Sequence, residues 1–149
     1  MNEGLGDILI ACSKKNAQKD KIAYLQEKQK KYPHILAFLK YMFKDSIQFD
    51  LPAGPVEDTN GKLLYTPAKK EMDLQNVLYS SLRRMKIFMR GEYPTMSKRK
   101  REEQFIELLE SVDPDDAVFL IHMKDKKSPY KGVTKNLIMK AFPKETENW

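Results

Sequence analysis

The sequence predicts an all-α fold, a compact bundle of about seven helices in one domain over residues 1–149. Three observations carry this. Apolar residues recur at helical spacing along nearly the whole chain, with almost no alternating strand pattern. Asp, Thr, Pro and Gly stand where helices start and stop. The connections are short, except for one irregular stretch at residues 48–66. A chain of 149 residues can bury roughly 70% of its unfolded surface around a single core.

In chain order, Ile8, Leu9 and Cys12 give a short first helix. Asn16 is a cap for a second that runs to about Gln29, with Ile22 and Leu25 inward and its lysines solvated. Pro33 opens a third, where Ile35, Leu36, Phe38, Leu39, Met42 and Phe43 form a broad apolar stripe. From Ile47 to Thr66 the chain turns irregular, with Pro52, Gly54, Pro55 and an Asn60–Gly61 turn able to support a small hairpin. Thr66 and Pro67 then open the longest helix, about Ala68 to Phe88, with Met72, Val77, Leu78, Leu82 and Met85 on its inner side. After Gly91 and Pro94, a fifth helix covers about Ser97 to Ser111.

The last third is the most informative. Asp113 caps a sixth helix, Pro114 fits its first turn, and Asp115 and Asp116 suit its positive end. After the apolar run Ala117–Met123 comes a basic turn with Lys124, Lys126, Lys127 and Lys131. Gly132 allows a tight bend before Thr134 opens a seventh helix, which Pro143 follows. A helix start flanked by Gly and Lys suits a phosphate, because its free N–H groups and its dipole both face the anion.

Charge and composition narrow the function classes. Lys and Arg number 27 against 21 Asp and Glu, a net charge of +6 that favours an anionic partner. No apolar run approaches the roughly 20 residues needed to cross a bilayer, so no membrane partner is expected. The opening MNEGLGDILIACSKK lacks the basic start of a secretory signal. The lone cysteine, Cys12, excludes an internal disulfide framework and fits a reducing cytoplasm.

Catalytic motifs are missing. No Asp–Gly pair exists, so the K-x-D-G nucleotidyl-lysine motif is absent. Gly4 and Gly6 begin like G-x-G-x-x-G, but Leu9 holds the third glycine position. His34 and His122 lack partners at metal-ligand spacing, and His122 reads as a packed helix histidine. Cys12 reads as an inert buried thiol. Asp113, Asp115 and Asp116 could be imagined as metal ligands, but helix capping accounts for them. The expectation is a protein that is not an enzyme, with no cofactor and no metal.

The stretches GDILIACSKKNAQKDKIAYLQEKQ, HILAFLKYMFKDSIQFDLP and DDAVFLIHMKDKKSPYKGVTKNLIMKAFP together resemble the N-terminal DNA-binding domain of ATP-dependent DNA ligases. The short all-α form of T-even phage ligases is the most similar. The likeness covers nearly the whole chain and implies a phage protein in the cytoplasm of a bacterial host. No nucleotidyltransferase or oligonucleotide-binding domain follows Trp149, so it implies DNA holding without ligation. In that family the domain lies across the minor groove and grips backbone on both sides of a nick.

Matched onto this chain, the resemblance places the grip at Lys14, Lys15 and Asn16 and at Lys131, Gly132, Val133, Thr134 and Lys135. Lys126, Lys127 and Tyr130 adjoin the second segment, and Tyr130 could pack against a sugar or brace the turn. Lys98 and Arg99 head the densest basic run, either a solvated helix start or a phosphate contact. Arg83, Arg84, Lys86 and Arg90 suit a helix end on structural grounds alone. Phe49 reads as core. The expected partner is double-stranded DNA, nicked or intact, held with little sequence preference. The rival expectation is an adaptor that binds a viral or host protein of replication, transcription or defence.

Overall fold

A computed structural model describes residues 3–149. Among them are seven α-helices and two 3-10 segments, and no β-strand. The helices are α1 (Leu5–Ser13), α2 (Gln18–Lys31), α3 (Ile35–Phe43), α4 (Gln75–Ser80), α5 (Lys98–Ser111), α6 (Pro114–Lys124) and α7 (Lys135–Ala141). The 3-10 segments are Lys70–Met72 and Leu82–Phe88.

Helix α6 is the central strut, packed against α1, α3 and α5, while α2 lies between α1, α3 and α7. Phe119 of α6 meets Phe38 of α3 edge to face at 6.4 Å, and Phe88 meets Phe105 of α5 at 5.3 Å. Burying each such ring contributes about 1.5–3 kcal/mol. Helix α1 approaches α6 closely because Gly6 has no side chain: a Cβ there would lie 2.6 Å from the carbonyl carbon of Asp115. Its N–H donates to Asp116 Oδ1 at 2.7 Å.

The caps of the last helices follow the sequence. Asp113 accepts from the N–H of Asp115 at 3.1 Å with Pro114 in the first turn, and Thr134 accepts from Leu137 N–H at 3.2 Å. At α5, Ser97 accepts from Lys100 N–H at 3.2 Å. Elsewhere the chain departs from expectation. Ala17, one residue beyond Asn16, stands at the cap position of α2, with no side-chain bond. Lys21 of α2 is buried rather than solvated.

The longest expected helix, Ala68 to Phe88, is broken into three pieces. Asp73 takes a left-handed conformation (φ 58°) that ends the first 3-10 turn. The hydroxyls of Ser80 and Ser81 both donate to the carbonyl of Val77. Ser81 N–H therefore turns to Leu78 O at 2.9 Å, three residues back, and the α-helix tightens into 3-10. Leu78 and Met85 are buried as expected, whereas Met72 is 58% exposed.

The irregular stretch does hold a small hairpin. A bridge joins Glu57 to Leu63 around Gly61, whose φ is +81°. A second bridge, Phe49 to Met89, ties the exit of α3 to the end of the second 3-10 segment and leaves Phe49 in the core.

Candidate nucleic-acid interface

Two segments far apart in sequence converge on one side chain, Lys21. At the end of α1 the N–H groups of Lys14 and Lys15 fold back onto Ala11 O and Cys12 O. Lys21, 8% exposed, donates its ammonium to the carbonyl of Lys15 and so fixes this turn. From the other side the glycine turn lies over the same lysine. Gly132 has φ +76°, and a Cβ on it would meet Lys21 Cε at 2.8 Å. The turn at 14–16 and the turn at 131–132 therefore form one surface. Lys14, Asn16 and Lys131 are exposed on it, while Lys15 lays its ammonium over the Tyr24 ring at 4.6 Å. Lys14 and Lys131 form no ion pair among the described residues.

The glycine turn is rigidly backed. Tyr130 and Val133 are buried, and both brace the turn. Val133 N–H bonds to Tyr130 O at 3.0 Å and Tyr130 N–H to Ser128 Oγ at 3.2 Å. Burial pushes the Tyr130 hydroxyl well above the ordinary phenol range, helped by Asp116 and Asp115. Beside the turn opens a concavity of about 540 Å³, bounded by Met42, Phe43 and Asp45 on one side and residues 128–135 on the other.

Two expected contact lysines are diverted to structural work. Lys126, itself at φ 60°, donates to Tyr41 O at 2.5 Å and Lys44 O at 2.8 Å. It thereby serves carbonyls at the end of α3 that have no helical partner. Burial lowers its ammonium to about 8, against the opposing pull of Asp45. Lys135 pairs with Asp45 Oδ2 at 2.8 Å and donates to the carbonyl of Trp149 at 2.5 Å. The hydrogen bond from Lys135 holds the Asp45 carboxyl below its usual range.

The remaining candidates lie elsewhere. Lys127 is exposed but borders a different recess, shared with Val118, Ile121 and His122 of α6 and with the hairpin. Lys98 stands beside Asp50, Leu51 and Pro52, and Arg99 pairs with Glu103 at 3.1 Å. Arg101, in the same basic run, is buried and donates to Ile87 O and Tyr93 O while pairing with Asp50. Residue type alone gave no signal for the inward turn of Lys21 and Arg101. Cys12 is buried, and burial pushes its thiol up, away from the reactive thiolate. His122 is partly buried, and burial lowers its imidazole.

The exposed surface around Lys21 carries two ammonium groups without an ion pair, those of Lys14 and Lys131, and the carboxamide of Asn16. The chain matches no curated protein and no solved structure. Matched over residues 8–129, it belongs to the DUF6433 family, a family of unknown function.

Proposed function

We propose that this chain is a non-catalytic protein that holds double-stranded DNA by its phosphate backbone, with little sequence preference. The observation that carries the reading is the meeting of the two basic turns around Lys21. The resemblance to phage ligase DNA-binding domains nominates these two segments from sequence, and they share one surface in the fold. Lys14 and Lys131 supply charge to phosphates, and the Asn16 carboxamide supplies a hydrogen bond that sets register. The same resemblance makes the chain a phage protein acting in the bacterial cytoplasm.

Fluorescence anisotropy with nicked duplex, intact duplex, single strand and RNA tests this. The double variant Lys14→Glu/Lys131→Glu alters exposed residues, so folding stability stays near wild type. Its duplex affinity falls by about 2 kcal/mol, roughly thirtyfold, through loss and reversal of charge-assisted contacts. Lys30→Glu/Lys62→Glu makes the same charge change at exposed positions off this surface and is the control. Equal losses from both pairs reduce the interaction to diffuse electrostatics.

A folded site variant that binds duplex like wild type gives the lead to an adaptor for a viral or host protein. One observation favours that second reading. Leu63 and Leu64 of the hairpin are 43% and 52% exposed, Leu63 beside a recess of about 460 Å³ and Leu64 beside one of about 270 Å³.

A further inference from the structure

Positive charge is concentrated in one short part of the fold. Residues 83–101 hold eight Lys and Arg and a single acid, Glu92, a net charge of +7 where the whole chain carries +6. Arg101 turns inward and draws this segment together. From α5 it donates to Ile87 O in the second 3-10 segment and to Tyr93 O in the loop between. Arg83, Arg84, Lys86, Arg90, Lys98 and Lys100 form no ion pair among the described residues. A helix-end role does not account for them. The last carbonyls of the 3-10 segment are already taken: Lys86 O by Met89 N–H at 3.2 Å, Ile87 O by Arg101 Nε at 3.1 Å, and Phe88 O by Asp50 N–H at 2.8 Å. Side chains three residues apart eclipse in a 3-10 helix, so Arg83 and Lys86 stand side by side as like charges. The first turn of α5 carries Lys98, Arg99 and Lys100 and no acid, the opposite of what its dipole favours. Like charges crowded in this way repel one another until a polyanion lies across them.

Tyr93 narrows the choice of polyanion. It is 43% exposed in the middle of the segment, and Arg101 holds its carbonyl at 2.8 Å. Its ring stacks on no other ring and lies under no ammonium among the described residues. An anchored, bare aromatic ring among cations is a platform for an unpaired base, whereas a duplex keeps its base faces in the stack. We propose that residues 83–100 form a second nucleic-acid surface, distinct from the one around Lys21, that takes a single strand. The cations follow its phosphates and Tyr93 stacks on a base. This surface stands without the duplex reading. The second 3-10 segment and α5 pack on each other, while the turns around Lys21 belong to α1, α2 and the approach to α7.

Fluorescence anisotropy with labelled oligo-dU, oligo-U and blunt duplex tests this on the full chain. Wild type binds a single strand; the two oligomers show whether DNA or RNA is preferred, and binding of either supports the proposal. Arg90→Glu/Lys98→Glu alters exposed side chains, keeps the wild-type Tm, and lowers single-strand affinity roughly thirtyfold. Tyr93→Ala lowers it roughly tenfold, and Tyr93→Phe restores it. Lys14→Glu/Lys131→Glu leaves single-strand affinity near wild type. Single-strand binding without duplex binding refutes the reading of the Lys21 surface and supports this one. The proposal is overturned if wild type binds no single strand, or if Arg90→Glu/Lys98→Glu binds it as wild type does. Equal losses from the Lys14/Lys131 and Arg90/Lys98 pairs overturn it as well. Undiminished binding by Tyr93→Ala, or displacement of the oligomer by poly-glutamate of equal charge, makes the segment a general anion seat and overturns the single-strand assignment.

Discussion

Gly6→Ala isolates the contact that sets the distance between α1 and α6. A methyl at this position would lie 2.6 Å from both the carbonyl carbon and the oxygen of Asp115, and 2.8 Å from its Cβ. Carbon atoms rest at about 3.5–4.0 Å, so the helices must part by about 1 Å. The obstacle is backbone, which cannot rotate away as a side-chain tip can. Overpacking of this kind costs about 1–3 kcal/mol. Separation also stretches the 2.7 Å bond from Gly6 N–H to Asp116 Oδ1, the carboxylate's one hydrogen bond. Leaving that buried group unpaired adds about 1–3 kcal/mol. Alanine recovers about 1 kcal/mol of helix propensity.

The net expectation is a loss of about 1–5 kcal/mol, centred near 3, a large share of a domain's total of about 5–15 kcal/mol. Urea unfolding followed by circular dichroism measures it, with the midpoint falling and the slope m unchanged. Gly61→Ala is the matched control. Gly61 also has a special role, at φ +81°, but the nearest atom to an added Cβ is 3.9 Å away. Only left-handed strain of about 1–2 kcal/mol applies there. If Gly6→Ala costs no more than Gly61→Ala, the close approach of the two helices is not what the glycine serves.

If phosphates are the ligand, log affinity for duplex DNA falls linearly with log salt by about 0.9 per neutralised phosphate, and Lys14→Glu/Lys131→Glu flattens that slope by about 2; an affinity unchanged between low and near-physiological salt refutes this. Lys126, pushed down to about 8 by burial, deprotonates in the folded protein well below the ordinary lysine value of about 10.4. Between those values the unfolded chain binds more protons, so stability rises with pH across that window, and the neutral amine still has donors for Tyr41 O and Lys44 O. A side-chain nitrogen NMR titration of Lys126 with its midpoint above 10 refutes the burial argument.

Local chemistry made parts of this fold legible. The start of α6 needs only Asp113, Pro114 and Asp115, and the start of α7 needs only Thr134 after a glycine turn. Both helix starts are where the sequence puts them. The segment 68–88 has an equally good apolar period, yet it is broken. The pair Ser80–Ser81 can satisfy Val77 O with hydroxyls, and Asp73 tolerates a left-handed backbone. These alternatives are also local, and weighing their effect against periodicity would have predicted the 3-10 turn. The junction in which Lys70 pairs with Asp7, Asp113 and Asp115 is different in kind. Lys70 is 43 residues from Asp113 and 63 from Asp7, and nothing in its own neighbourhood marks it.

The basic residues teach the same distinction at the candidate interface. Charge counting treats every Lys and Arg as available to an anion. In the fold, Lys21, Arg101, Lys124, Lys126 and Lys135 all donate to backbone carbonyls. Several of those carbonyls lie at helix ends, where cations also suit the dipole. Part of the positive excess therefore closes off the chain's own acceptors. The charge left for a partner is that of lysines whose ammonium has no internal acceptor. On the surface around Lys21 these are Lys14 and Lys131, on opposite sides of the buried lysine that joins their turns. If the ligand is duplex DNA, as proposed, a surface with so few free charges takes its register from the Asn16 carboxamide. Under the proposed duplex binding, that directional group, more than the net charge of +6, would carry any response to duplex shape.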